Sequence, residues 1–259
     1  MPRTSSIARL QQVLTLWLLA LALASGAWWW PRSRALAVVV GLSLLFSHAW
    51  VLGAEFLMLR QVAKADPAPR ASRAELLRAW LAECVQGVRV FAWRQPFRWR
   101  EVPDRLEGEG VRGRHGVVLV HGFVCNRGFW TPWLRRLRAD RRAFVAVNLE
   151  PAFGVIDEYF PTLDEAVARV REATGLPPLL VGHSMGGLAA RAWLQARGDT
   201  GAVAHVVTLG SPHAGTWIAR FSSLPNGRQM RQDSPWIEAL RRGWTPAQAR
   251  RLTCWYSNA

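Results

Sequence analysis

Gly182-His183-Ser184-Met185-Gly186 sets a serine between two glycines, each two residues away. That spacing suits nucleophilic acyl chemistry when the serine stands on a sharp bend between a strand and a helix. The flanking residues read as that context. Leu179-Leu180-Val181 is a short apolar run before the motif, and Gly187–Ala196 has helical character after it. A chain that turns from strand to helix within one or two residues holds the serine in strained backbone geometry. Side chains at the two glycine positions would collide with neighbouring elements. The bend also puts the Ser184 hydroxyl at a helix N-terminus, where the positive end of the macrodipole favours developing negative charge. A second signal lies about sixty residues upstream, where His121-Gly122-Phe123 closes the apolar run Gly116–Val120. In strand–turn–helix sites of this type, the loop after the first parallel strand gives one backbone N–H of an oxyanion hole. The residue after the nucleophile gives the other. The candidate site residues are therefore Ser184 as nucleophile, with Phe123 and Met185 as main-chain oxyanion donors. Such donors contribute roughly 3–4 kcal/mol each to transition-state stabilisation. His121, in its His-Gly turn, reads as a brace for that loop and not as a base.

The elements that must hold these residues read as alternating strands and helices. Gly116–Val120, Phe144–Leu149, Leu179–Val181, Val203–Leu209 and Leu252–Tyr256 are continuous apolar runs. Trp130–Arg138, Pro161–Ala173 (with Thr162 as N-cap and Glu165 completing a capping box) and Leu188–Ala196 are helical stretches between them. Continuous apolar strands alternating with helices predict a parallel sheet covered on both faces. Before them, Ser72–Gln86 is predicted helical, with Leu76, Leu77, Trp80 and Leu81 at helical spacing and a Ser72–Glu75 capping box. Alternating Phe97, Trp99 and Glu101 fit an antiparallel edge strand over 97–106.

With these stretches in view, VLVHGF (118–123), VGHSMGG (181–187) and LGSPHAGT (209–216) resemble the lipase and esterase branch of the α/β-hydrolase superfamily, bacterial lipases in particular. The resemblance covers about residues 115–258. It implies an α/β-hydrolase fold, a mostly parallel sheet with helices on both faces, and a Ser184 acyl-enzyme formed from a lipid or other apolar carboxylic ester. It implies no metal or organic cofactor. It places His213 in the SPHAGT loop and outside the triad, and turns the His183 side chain away from the nucleophile. The chain order in this fold is Ser, then Asp or Glu, then His. After Ser184 the aspartates are Asp199 and Asp233, and the histidines are His205 and His213. The triad acid and histidine are therefore expected to lie beyond residue 259, with little or no turnover from residues 1–259 themselves. A triad of Asp233 and His213 is the rival within the chain. Residues 214–250 form the expected lid region, rich in Trp217, Ile218, Phe221, Leu224, Trp236, Ile237, Leu240 and Trp244. It reads as a helical subdomain packed on the sheet or as an acyl-binding, membrane-facing wall.

The first sixty residues are of another kind. Leu10–Pro31 and Ala35–Ala54 carry no formal charge, and Arg32-Ser33-Arg34 separates them. Each run is about 30 Å long as a helix, the thickness of a bilayer's hydrocarbon core. Trp28-Trp29-Trp30 sits where aromatics favour the headgroup level. The reading is a transmembrane helical hairpin over 1–62. A signal peptide followed by one helix is the alternative, with Arg3 and Arg9 as its basic region. Arg3 and Arg9 on one flank, and Arg60, Lys64, Arg70 and Arg73 on the other, outnumber Arg32 and Arg34 in the turn. That distribution puts both termini in the cytoplasm of a bacterial inner-membrane protein. His48 reads as a polar residue facing the other helix of the pair. The predicted organisation is then 1–62 hairpin, 63–110 connecting helix and edge strand (with a stiff linker at 66–70), and 111–259 hydrolase domain.

The formal net charge is +15, and residues 61–259 carry 28 Lys and Arg against 17 Asp and Glu. The arginines are scattered without a recognition motif, so nucleic acid is not an expected partner. They read as a solvated surface or as attraction to anionic lipid. Cys84, Cys125 and Cys254 show neither disulfide nor zinc spacing. Two rivals to ester hydrolysis remain at this point: an acyltransferase using the same nucleophile, and a non-catalytic, membrane-tethered binding or scaffold protein.

Overall fold

The computed structural model describes residues 4–62, 69–198 and 201–257, with no side-chain description for 59–62. Arg3, Lys64, the linker residues 66–68 and Asp199, and the side chain of Arg60, lie outside that description. The chain divides into two compact units, Ala8–Phe97 and Arg98–Tyr256 with short terminal pieces assigned to each.

The helical unit begins with α1 (Ser6–Trp29), a continuous helix of 24 residues. Among the described residues it is the one helix long and apolar enough to cross a membrane unaided. The second apolar run departs from the single straight helix expected of it. It forms α2 (Arg34–Leu45) and α3 (Ser47–Val62), bent by 61°. Phe46 leaves helical geometry at the bend (φ −101°, ψ 22°). Beyond it, α3 is held to α4 (Arg73–Gly87): Trp80 Nε1 donates to the Ala49 carbonyl at 3.1 Å, and His48 Nε2 lies 3.1 Å from the Cys84 carbonyl. His48 therefore faces α4 and not a transmembrane partner. α4 has the expected capping box, with Ser72 Oγ accepting from the Glu75 N–H and Glu75 accepting from the Ser72 N–H at 2.7 Å. It continues as a π-helical stretch, Val88–Arg94, and a short α5 (Gln95–Phe97).

The expected edge strand over 97–106 does not form. Glu101 N–H donates to the Arg98 carbonyl at 3.0 Å, which closes a turn, and Pro103 has no N–H for a ladder. One antiparallel bridge, Arg105 to Phe144, is what remains of it.

The second unit is built on five parallel strands: β1 (Val117–Val120), β2 (Phe144–Ala146), β3 (Leu179–His183), β4 (His205–Leu209) and β5 (Leu252–Trp255). Their order is β2-β1-β3-β4-β5. Val120 registers with Gly182, and His183 with Leu209. Alternate residues of β1 serve opposite faces. Val118 and Val120 pack with α7 (Phe160–Thr174) and α8 (Met185–Arg197), while Val117 and Leu119 pack with Trp130 and Leu134, at the start of and within α6 (Thr131–Ala139). Burial on both faces explains why these strands read as continuous apolar runs. α9 (Pro225–Gln229), α10 (Pro235–Arg242) and α11 (Pro246–Arg250) lie between β4 and β5.

α7 starts one turn earlier than its sequence signal. Pro161 occupies its first turn and Tyr159 its N-cap, so Thr162 is inside the helix and Glu165 forms no box with it.

Candidate active site

Chain progression reverses between β1 and β3. From β1 the chain steps outward to β2, whereas β3 continues to β4 and β5 on the other side. In open parallel sheets the crevice at such a reversal, at the carboxyl ends of the strands, is where ligands bind. His121-Gly122-Phe123 follows β1 there, and Ser184 follows β3.

Ser184 has φ 51° and ψ −125°, outside the regions an L-residue ordinarily occupies. Its N–H donates to the Leu209 carbonyl at 2.9 Å, and it is the N-cap of the thirteen-residue α8. The residue is half-buried. The glycines around it are demanded by close approach. A Cβ on Gly182 would come within 2.6 Å of the Gly187 backbone nitrogen. One on Gly186 would run into the backbone of Val120 and His121, and one on Gly187 into Ser211. Gly122 is as tightly placed from the other side, since a Cβ there would lie 2.9 Å from Ser184 Cβ. The loop carrying Phe123 is thus pressed directly against the serine. Met185, the first residue of α8, has a buried side chain. Val124 sits in the left-handed region (φ 53°), a strained position for a β-branched residue beside the site.

His121 braces this loop, as its His-Gly context led us to expect. It is buried; Nε2 accepts from the Leu149 N–H at 3.0 Å. Nδ1 therefore carries the proton and donates to the Gly122 carbonyl at 2.9 Å. Burial pulls its pKa down to about 4, so the ring is neutral at pH 7. Neutral burial makes stability pH-dependent. An unfolded histidine titrates near 6.5, so the unfolded state takes up a proton first as pH falls. Stability contributed by His121 is complete above about pH 6.5 and is lost progressively toward pH 4, up to ~3 kcal/mol in all. Urea midpoints measured between pH 7 and 4.5 should fall over this window and fall less in His121→Asn.

The loop's far end is held by a charged pair. Arg127 Nη2 donates to Asp104 Oδ1 at 2.6 Å, Arg127 Nε to the Ala146 carbonyl at 3.2 Å, and the Arg127 N–H to Asn148 Oδ1 at 2.9 Å. Both side chains are largely buried. Burial lowers the Arg127 pKa, with Asp104 opposing the effect. Removing one member of a buried pair strands the other's charge. Asp104→Ala should therefore cost about 3 kcal/mol in chemical denaturation, more than Asp104→Ala combined with Arg127→Met.

The other histidines are engaged elsewhere. His183 stacks on Phe129 with centroids 4.4 Å apart, and burial lowers its pKa. His213 Nε2 lies 2.9 Å from Thr208 Oγ1, and its pKa is pulled down to about 4 by burial and then by Arg191. His205 Nε2 lies 2.8 Å from Thr253 Oγ1 across β4 and β5. Asp233 is exposed at a left-handed turn position before α10. Among the described residues, no histidine or carboxylate hydrogen-bonds the Ser184 hydroxyl, so Asp233 and His213 are not assembled with it. Among the described residues the three cysteines form no disulfide, and Cys125 is buried. In 214–250, Ile237 and Leu240 enter the core and Trp236 and Trp244 pack against it. Ile218 and Phe221 stand exposed, with Trp217 edge-on to Phe221.

Sequence reasoning passed over Gly187, Val124 and the Asp104–Arg127 pair. Gly187 had a signal, the third glycine of the 181–187 stretch. The others had none, because a left-handed valine and a pair 23 positions apart leave no local pattern.

Residues 117–257 match the sequence profile of the Alpha/beta hydrolase family, and the chain belongs to that family. Comparison with curated proteins gives no match. The chain is similar to lipase BlEst2 of Bacillus licheniformis in its mature form, at 15% identity and TM-score 0.48 over 58% of this chain and 66% of that one. It is also similar to lipase B of Aspergillus fumigatus, at 19% identity and TM-score 0.47, over 56% of this chain and 38% of that one. Phospholipase PlaB of Legionella pneumophila gives 15% identity and TM-score 0.45, again over 56% and 38%. The chain thus spans less than two thirds of the length of each of these structures.

Proposed function

We propose that this chain is a membrane-held serine hydrolase that cleaves apolar carboxylic esters through an acyl-enzyme on Ser184. The observation that carries the proposal is the backbone of Ser184. It is a non-glycine residue held at φ 51° on the N-terminus of α8, half-exposed, with the Gly122 backbone pressed against it. Strain of this kind costs about 1–3 kcal/mol and persists where the surroundings impose it, typically at a site of chemistry. In this reading the Ser184 oxygen attacks the acyl carbonyl, the N–H groups of Phe123 and Met185 receive the oxyanion, and the serine proton passes to the departing alkoxide. The alcohol leaves, and water then releases the acid. The exposed Ile218 and Phe221, with half-buried Trp217 edge-on to Phe221, supply an apolar wall for the acyl chain. Residues 1–62, with α1 as a first span and the bent α2–α3 pair as a second, hold the domain at a bilayer.

One observation favours a second reading, a tethered binding protein without turnover: no described histidine or carboxylate hydrogen-bonds Ser184. Exposure of residues 1–259 to a fluorophosphonate, with and without added imidazole, separates the two. A hydrolase site should phosphonylate at Ser184, faster with imidazole where no histidine is hydrogen-bonded to the serine. A binding protein should show no serine-specific labelling under either condition.

A further inference from the structure

α4 has three faces. Trp80, Cys84 and Gly87 turn toward α3, where Trp80 and the Cys84 carbonyl make the hydrogen bonds described above and Gly87 approaches His48. Glu75, Arg78, Glu83 and Gln86 form a polar, exposed face. Between these runs a third face, Leu77, Leu81, Val85 and Val88, at successive spacings of four, four and three residues. It is uncovered, with exposures of 57%, 51%, 51% and 42%. The stripe continues into the π-helical stretch with exposed Phe91 and Trp93. An amphipathic helix in water buries its apolar face; this one turns part of its apolar arc toward α3, where Trp80 and Cys84 are half-buried, and leaves the rest exposed.

Three features point to lipid as its cover. The helices of the same unit are apolar outside as well: Trp17 and Leu23 of α1, and Trp50, Val51 and Leu57 of α3, are all exposed. The stripe is therefore continuous in character with the segment read as the anchor. Charge agrees, because residues 73–97 hold Arg73, Arg78, Arg89 and Arg94 against Glu75 and Glu83, with arginines at both ends of the stripe. Guanidinium groups at the ends of an apolar face suit the phosphates of a headgroup layer. Length decides the orientation. From Leu77 to Trp93 the stripe advances about 24 Å, still short of the roughly 30 Å core of a bilayer, and Arg78, Glu83 and Arg89 lie along the same length of helix, so the stripe lies along a membrane and not across it.

We propose that the Leu77–Leu81–Val85–Val88 face of α4 is a membrane-contacting surface. It lies in the bilayer interface with acyl chains against the apolar stripe and lipid phosphates against its flanking arginines. The proposal rests on reading residues 1–62 as a membrane anchor and adds a further lipid-contacting element beyond it. To test it, the full chain, with its three cysteines replaced by serine, would be placed in phosphatidylcholine–phosphatidylglycerol vesicles. An environment-sensitive fluorophore would be attached to Leu16→Cys, Leu81→Cys or Glu83→Cys, one at a time. A spin-labelled lipid should quench the probes at 16 and 81 to a comparable loss of fluorescence and leave the probe at 83 bright. Quenching at 16 alone overturns the proposal and leaves the anchor intact. Quenching at neither 16 nor 81 overturns both. Equal quenching at 81 and 83 shows a helix immersed without a preferred face. A probe at 81 that is shielded only in the presence of a second copy shows a protein interface instead; each of these also overturns the proposal.

Discussion

Ser184→Ala is expected to take imidazole-assisted phosphonylation of the chain to background, a loss of roughly 10³-fold. That figure is the order of rate enhancement over water that oxyanion donors and binding supply once a serine triad has lost its base. The change removes one oxygen from a half-exposed side chain that accepts and donates no hydrogen bond among the described residues. Serine and alanine bear the same backbone strain at φ 51°, and no side-chain cap bond is lost, so stability should move by less than about 0.5 kcal/mol. The two readouts must separate. Loss of labelling with an unchanged denaturation midpoint identifies the serine as the reacting atom's carrier. Labelling that persists in Ser184→Ala, located by peptide mass on Ser211 or another serine, would refute the assignment. Ser211 is the control that matters, because its hydroxyl is buried beside Gly187 and has no hydrogen-bond partner among the described residues.

Much of this site could be read from sequence because its parts are local. A parallel strand buried on both faces shows as an unbroken apolar run, so β1 and β3 were visible. The glycines at 182 and 186 announce a bend whether or not the rest of the fold is known. Helix starts fared worse. Thr162 and Glu165 have capping-box spacing, but Pro161 fits the first turn of a helix and fixes its start upstream. The edge strand was misread because a turn closed by Arg98 and Glu101, followed by Pro103, reproduces an apolar alternation without a ladder.

The helical unit shows the same division. α1 is set by composition alone. The bend at Phe46 is not: beyond it α3 lies against α4, with His48 near the Cys84 carbonyl 36 residues away and Trp80 bonding to Ala49 at a distance of 31. Contacts of that range depend on where a helix some thirty residues later comes to rest, and hydropathy carries no record of it. The distant partnership of Asp104 with Arg127 was hidden for the same reason. Yet it fixes the far end of the loop whose near end, His121-Gly122, was conspicuous.

Gly186→Ala should be the most damaging single methyl in the chain. An alanine Cβ there would lie 2.8 Å from the Val120 carbonyl carbon, and closer still to the carbonyl oxygens of Val120 and His121. These are backbone atoms, so no rotamer change can relieve the overlap. Either α8 withdraws from β1 or the 121–124 loop is displaced. The first outcome opens the packing of Met185 and Leu188 in the main core, where both are buried. Overpacking ordinarily costs about 1–3 kcal/mol, and a clash against rigid backbone belongs above ~4 kcal/mol. The second outcome spares stability but displaces the loop that carries Phe123, the proposed oxyanion donor. Losing one such donor costs a factor of about 10²–10³ in rate. Urea unfolding and Ser184 phosphonylation, measured on the same preparation, tell which element gives way. A Gly186→Ala chain with wild-type stability and wild-type labelling would mean that α8 and the loop after β1 do not meet as described, and with that contact the oxyanion assignment would go.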